Sequence, residues 1–304
     1  MEDDRLIEGI LRLKEERNAV ILGHNYQIGP IQDISDFVGD SFQLAKAAEG
    51  TDAEVIVFCG VDFMAETAAI VNPEKTVLLP EIDAQCPMAA MLPPDVIEDA
   101  KRAHPDAEVV MYINTHAEAK VHADIICTSG NSVKVVQSMD ADEILFAPDK
   151  NLAHFVSRRT GKKIIPVPEY GMCVVHDRIS LADIQAAKAS HPDAKVAVHA
   201  EICPEVQEIA DHVGSTKTMV DYVKTDPAME FIIGTESGII HRMEKEAPNK
   251  SFYPSTDHDI CKNMKKINLT NLYEALDQMK YVIEVPKDIA EKALIPIQRM
   301  LDLR

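Results

Sequence analysis

Short apolar runs alternate with amphipathic stretches along the whole chain. AVILGH (19–24), EVIVFCG (54–60), TVLLPE (76–81) and EVVMYIN (108–114) are dominated by Val, Ile and Leu. DIICTS (124–129), EILFAP (143–148), KIIPVPE (163–169), KVAVHAE (195–201), EFIIGTE (230–236) and SFYPST (251–256) continue the series. Near-continuous runs of this kind predict strands buried on both faces of a parallel sheet. Between them, PPDVIEDAKRAH and SLADIQAAKASH carry apolar residues at helical spacing behind good N-terminal signals. Strand–helix alternation predicts an α/β fold with parallel sheets.

The pattern also repeats. AHPDAEVVMYINT (103–115) and SHPDAKVAVHAEI (190–202) write nearly the same turn and strand, and His104 and His191 are 87 residues apart. LIEGILRLKEERNAVILGHNY, VIEDAKRAHPDAEVVMYINT and IQAAKASHPDAKVAVHAEI each run from helix to strand. A second strand with a polar turn follows, read as VIVFCGVDF, DIICTSGNS and FIIGTESG. Each unit closes on a strand, a proline and a cysteine, in LLPEIDAQC, PVPEYGMC and FYPSTDHDIC. Those cysteines, Cys86, Cys173 and Cys261, are 87 and 88 residues apart. Any α/β protein repeats strand–helix units, but near-identical HPDA turns and registered cysteines exceed that background. The period is too long for a solenoid. Three compact units are expected, over 1–87, 88–174 and 175–304, the last with a C-terminal helical segment.

Composition narrows the function classes. A chain of 304 residues with 46% hydrophobic content supports more than one packed unit. The most apolar run, EVIVFCGVDFMAETAAIV, is broken by Asp62 and Glu66, short of the roughly 20 residues a membrane helix needs. The acidic start MEDDRLIEGI is unlike a secretory signal. Six cysteines without such a signal predict reduced thiols in a cytoplasmic protein, with metal or catalytic uses ahead of disulfides. A net charge of -19 and no basic stripe argue against nucleic acid. No Walker A loop or Gly-x-Gly-x-x-Gly fingerprint is present, so a bound nucleotide is not expected.

Function in parallel α/β sheets collects beyond the carboxyl ends of the strands. The first strand of each unit ends in two polar residues two apart: His24/Tyr26, Tyr112/Asn114 and His199/Glu201. Residues i and i+2 of a strand share a face, so each pair can reach one space. Around a pseudo-threefold axis all six converge, and the registered cysteines with them. Ser41, Ser129, Ser215 and Thr216 add hydroxylated turns, the last three before helix-compatible sequence that can hold an anion. Three converging thiolates suit Zn²⁺ with an open fourth position or an iron–sulfur cluster with one iron free of protein. Cys59, Cys127 and Cys203 lie off the register and read as small buried side chains.

GHNYQ (23–27), DISDFVGDS (33–41), FCGVDFMAETA (58–68), YINTHAEAK (112–120) and CTSGNS (127–132) resemble the quinolinate synthase family, an iron–sulfur enzyme family of NAD biosynthesis. HAEICPEV (199–206), GST (214–216) and CKNMKKI (261–267) extend the resemblance over essentially the whole chain. The resemblance implies three homologous three-layer α/β/α domains in a pseudo-threefold arrangement around one three-cysteine [4Fe–4S] cluster. It implies a transferase that condenses iminoaspartate with dihydroxyacetone phosphate to quinolinate, releasing phosphate and water. An L-aspartate-oxidising enzyme is the implied source of iminoaspartate. Carried over by position, it makes Cys86, Cys173 and Cys261 the cluster ligands. His24, Ser41, Tyr112, Asn114, Ser129, His199, Glu201 and Thr216 match substrate-binding positions, and Tyr26 a catalytic tyrosine. Tyr26 and Glu201 are the natural acid–base candidates. The alternatives are a zinc enzyme using the same thiolates with Glu201 as base, and a non-catalytic iron–sulfur sensor.

Overall fold

The computed structural model describes residues 2–303. Twelve strands form three parallel sheets. β1 (Ala19–His24), β2 (Phe37–Gly39), β3 (Val55–Cys59) and β4 (Thr76–Leu78) build the first, in the order β2-β1-β3-β4. β5 (Glu108–Tyr112), β6 (Ile125–Cys127), β7 (Glu143–Ala147) and β8 (Lys163–Pro166) build the second, ordered β6-β5-β7-β8. β9 (Lys195–His199), β10 (His212–Gly214), β11 (Glu230–Gly234) and β12 (Ser251–Pro254) build the third, ordered β10-β9-β11-β12. The same order three times, with helices flanking each sheet, is the expected set of three α/β/α units in a pseudo-threefold arrangement.

The apolar runs explain which strands are central. Every residue of β3 is buried, as are four of the five in β5, β7, β9 and β11. In each sheet the first and third strands pair directly, as in Leu22↔Phe58, Met111↔Ala147 and Ala197↔Ile233. The chain leaves the first strand to one side, returns on the other, and so opens a crevice at the carboxyl ends between them.

Two short strands, β2 and β10, escape a pattern reading because each has only three residues, Phe-Val-Gly and His-Val-Gly. Their absence misaligned the repeat. DIICTSGNS contains β6, which sits at the sheet edge as β2 and β10 do. The true counterpart of VIVFCGVDF and FIIGTESG is β7 with its following turn, ILFAPD. β6 carries Ile-Ile-Cys, all buried, and so looks like a central strand although it is an edge strand.

The HPDA turns behave alike in the structure. His104 N–H bonds the Ala100 carbonyl at 3.0 Å, and His191 N–H bonds that of Ala187 at 2.9 Å. Each histidine closes the helix before its unit's first strand, Pro94–Ala103 and Leu181–Ser190. The second helix opens on a full capping box between Ser180 and Asp183. The helix Leu269–Gln278 packs on Glu2–Glu16, closing the third unit onto the first, and Lys287–Asp302 packs over β6 and the helices Asp62–Val71 and Ala117–Lys120. Among the described residues no helix is long and apolar enough to cross a membrane.

Candidate active site

The crevices of the three sheets open into one cavity. His24, Tyr112 and His199 are the last residues of β1, β5 and β9, and all three line it. Tyr26, Asn114 and Glu201 line it too, although they stand in the turns after those strands rather than on them. The turn brings each pair together: Tyr26 N–H donates to His24 Nδ1 at 3.2 Å, and Glu201 N–H to His199 Nδ1 at 3.3 Å. Ser41 and Thr216 are the first residues of the helices Ser41–Glu49 and Thr216–Thr225, and Ser129 precedes the helix Ser132–Gln137. These three hydroxyls also line the cavity, so nine of the ten non-cysteine candidates meet there; Ser215 instead caps the helix Thr216–Thr225, its Oγ accepting from Thr218 N–H at 3.3 Å.

A buried chain of hydrogen bonds crosses the cavity. The Tyr26 hydroxyl lies 2.6 Å from Thr235 Oγ1, which lies 2.8 Å from His176 Nε2. His176 Nδ1 is 2.6 Å from Glu201 Oε2, and the Tyr112 hydroxyl donates to Glu201 Oε1. His199 stacks on His176 with ring centroids 4.7 Å apart and meets Ser129 Oγ at 3.2 Å. Burial works against ionising Glu201, but His199, His176 and the bonds from His176 and Tyr112 outweigh it and hold the carboxyl below its usual range. Burial, then the Glu201 charge, pushes the Tyr26 and Tyr112 hydroxyls well up. Burial pushes His24 down to about 3 and His199 down to about 4, so both are neutral near pH 7.

Sequence reasoning missed Thr235 and His176. His176 follows Cys173 by three residues, where Ala89 and Met264 stand in the other units, so a polar residue at that register was its signal. Asn25 was also missed; it donates to Thr216 Oγ1 at 2.8 Å and accepts from Arg242 at 2.6 Å. Asn114 Oδ1 is buried without a hydrogen-bond partner, a wall position that a ligand donor would satisfy.

Cys86, Cys173 and Cys261 are free and half-buried, and all three line the cavity. Each stands three residues before a single 3₁₀ turn: Ala89–Met91, His176–Arg178 and Met264–Lys266. Backbone N–H groups at the start of those turns work against burial at the three thiols, from Ala89 and Met88 at Cys86, from His176 at Cys173, and from Met264 and Asn263 at Cys261. Burial pushes Cys86 up to about 12 and raises Cys173 and Cys261, with the neighbouring thiols adding to the rise at Cys173. Thiolates here therefore need positive charge among them, which a cationic metal centre between the three sulfurs would supply. Cys173, His176 and Glu201 also offer donor atoms within 4.8 Å of one another. Cys59 and Cys127 are fully buried in β3 and β6; Cys203 is only half-buried, its thiol facing the Ile179 carbonyl at 3.5 Å.

A cavity at the junction of three α/β units, lined by three thiols and by the carboxylate, imidazole and hydroxyl of one hydrogen-bonded chain, defines an enzyme-type site. The family described as quinolinate synthetase A protein matches residues 8–302. A quinolinate synthase of Pyrococcus horikoshii is 52% identical over 298 residues, 98% of this chain and 99% of that protein. Quinolinate synthases of Thermococcus kodakarensis and Methanoregula boonei are 52% and 51% identical, each covering 100% of both chains. This chain belongs to the quinolinate synthetase A family of enzymes.

Proposed function

We propose that the chain condenses iminoaspartate with dihydroxyacetone phosphate to quinolinate, with loss of phosphate and water, around a [4Fe–4S] cluster held by Cys86, Cys173 and Cys261. The observation that carries this reading is the meeting in one cavity of those three thiols with Tyr26, His176 and Glu201, which Thr235 joins from behind the wall into one hydrogen-bonded chain. Bound there, the cluster would supply a Lewis acid, since three protein ligands leave one iron open.

The chain's own groups account for the proton handling. Tyr26 can take a substrate proton on its oxygen as its own hydroxyl proton passes to Thr235 Oγ1 and the Thr235 proton to His176 Nε2, so that no buried tyrosinate forms. Glu201, ionised and bonded to Nδ1, stabilises the imidazolium that results. Tyr112 fixes the other Glu201 oxygen, so the carboxylate keeps its orientation. His24 and His199, both neutral, and Asn114 with its unpaired Oδ1 supply hydrogen bonds without charge. Ser41, Ser129 and Thr216 offer hydroxyls beside helix starts, where phosphate or carboxylate is favoured. Neutral donors of this kind let a protein of net charge -19 hold anionic substrates.

Anaerobic purification with iron and acid-labile sulfide counting, followed by an assay with the two substrates, tests the reading. Roughly four iron and four sulfide per chain with quinolinate formed is the expected result. One zinc without sulfide would replace it with a single-ion site, for which Cys173, His176 and Glu201 are close enough. A cluster without turnover would replace it with a sensor.

A further inference from the structure

The three cysteines share a second feature. The backbone N–H of Cys86 donates to Asp62 Oδ1 at 3.0 Å, that of Cys173 to Asp149 Oδ2 at 2.9 Å, and that of Cys261 to Glu236 Oε1 at 3.0 Å. Asp62, Asp149 and Glu236 are spaced 87 and 87 residues apart. Each stands just past the third strand of its unit, after β3, β7 and β11. One tie from carboxylate to cysteine is thus built three times.

Other donors hold each carboxylate in place. Asp62 Oδ1 also accepts from Phe63 N–H at 2.9 Å, and Oδ2 faces His116 Nε2 at 3.0 Å. Asp149 Oδ1 accepts from Leu152 N–H at 2.7 Å. Glu236 Oε2 accepts from Gly238 N–H at 2.8 Å, and Oε1 lies 2.9 Å from Lys265 Nζ. Asp149 and Glu236 are fully buried. His116 faces Asp62 and Lys265 faces Glu236, while Asp149 is held by backbone N–H groups, so what the three carboxylates have in common is one local backbone N–H and the cysteine N–H. Burying a carboxylate is costly, and repeating it at one register implies a shared role.

We propose that Asp62, Asp149 and Glu236 are positioning residues that fix the three cysteine loops for the cluster, and that Asp62 also places negative charge behind Cys86. The inference rests on the reading of Cys86, Cys173 and Cys261 as cluster ligands. A carboxylate on the cysteine N–H fixes the peptide whose side chain faces the cavity, and such outer partners govern metal affinity as well as ligand orientation. The fixed charge disfavours adding an electron to the cluster, because net charge around a cluster is one of the terms that set its potential.

The hydrogen-bond pattern separates geometry from charge. Both N–H donors at Asp62 fall on Oδ1, so Asp62→Asn keeps the tie to Cys86 and turns its NH₂ toward His116. At Asp149 the donors face both oxygens, so Asp149→Asn must aim an NH₂ at one N–H and break a bond. Glu236→Gln meets the same conflict.

The test prepares wild type, Asp62→Asn, Asp149→Asn and Glu236→Gln without oxygen. It measures iron, sulfide, circular dichroism and the midpoint potential of the cluster. Asp62→Asn should keep wild-type iron and sulfide with a midpoint shifted to more positive potential. A folded Asp149→Asn should lose cluster, with metal affinity down by about 10-fold or more. Should Asp149→Asn fail to fold, Glu236→Gln asks the same question. An unmoved midpoint in Asp62→Asn, or full cluster in both other variants, overturns the inference while a four-iron wild type leaves the cluster reading standing. A wild type without iron and sulfide overturns both.

Discussion

Tyr26 and His176 face one shared hydroxyl: Thr235 Oγ1 lies 2.6 Å from the tyrosine oxygen and 2.8 Å from the imidazole Nε2. The direct distance between tyrosine and imidazole is 3.4 Å, too long for a strong bond. Thr235→Val keeps the shape and deletes the bridge, so turnover should fall by about 100-fold. Thr235→Ser, which restores a hydroxyl, should recover most of it. Tyr26→Phe and Glu201→Gln should show losses of similar size. Iron, sulfide and the visible spectrum should be unchanged in all four, because none of these side chains supplies a thiol. Steady-state assays beside metal analysis check this, and wild-type turnover in Thr235→Val would remove the bridge from the mechanism.

The six cysteines divide by position. Cys86, Cys173 and Cys261 line the cavity at equivalent places before their 3₁₀ turns, and alanine at any of them should remove cluster iron and activity together. Cys59 and Cys127 fill space at the ends of β3 and β6, and their alanine variants should keep the cluster at a stability cost of about 1 kcal/mol. Cys203, half-buried away from the cavity, should cost less. Iron and sulfide counts with urea unfolding curves for all six variants decide it. Cluster loss at Cys59, Cys127 or Cys203 would contradict the threefold register.

The register was legible because parallel strands buried on both faces must be written as continuous apolar runs, and because loops that meet at one axis repeat at one period. That is how His24, Tyr112, His199 and the three cysteines were found. β2 and β10 were not found, since three residues ending in glycine carry no periodic signal. β6 is an edge strand whose buried Ile-Ile-Cys run has the pattern of a central one. Thr235 and His176 were hidden for another reason. Their partners are 209 and 25 residues away, so neither bond shows in the spacing, and only the polar residue in an otherwise apolar register position three after Cys173 points to His176. The Asp62, Asp149 and Glu236 set did leave one, at 87 residues each, but acidic residues are too common for that spacing to stand out before their bonds are seen.

Anion binding should depend on neutral hydroxyls. Asn25 Nδ2 donates to Thr216 Oγ1, so the threonine's own proton remains available to a ligand oxygen. Ser129 Oγ shares a bond with His199 Nε2 at the opposite strand end. Thr216→Val and Ser129→Ala should each weaken a phosphate- or carboxylate-bearing ligand by about 1–2 kcal/mol, the scale of a hydrogen bond to a charged group. Calorimetric titration with inorganic phosphate and with a dicarboxylate measures it. Unchanged affinity in both variants would move the anion site elsewhere.

Acid should destabilise the fold through two imidazoles. Burial holds His24 down to about 3 and His199 down to about 4 in the folded chain, against 6.5 when free, and the favourable pull of Glu201 does not offset it. A group depressed by folding contributes stability that is complete above its unfolded pKa and is lost as pH falls toward its folded one. As pH drops below 6.5 the unfolded chain takes up these protons first, so the unfolding free energy should fall by about 1 kcal/mol per pH unit for each imidazole. The loss should level off for His199 near pH 4 and for His24 near pH 3. His24→Gln and His199→Gln each remove one titrating group while leaving a polar side chain, and the double variant removes both. Urea unfolding between about pH 7 and pH 4 should show wild type losing stability more steeply than the double variant, by about 2 kcal/mol per pH unit below pH 6.5. Parallel curves across that range would mean that neither imidazole is held neutral by burial, and that the cavity wall is wetter than its geometry implies.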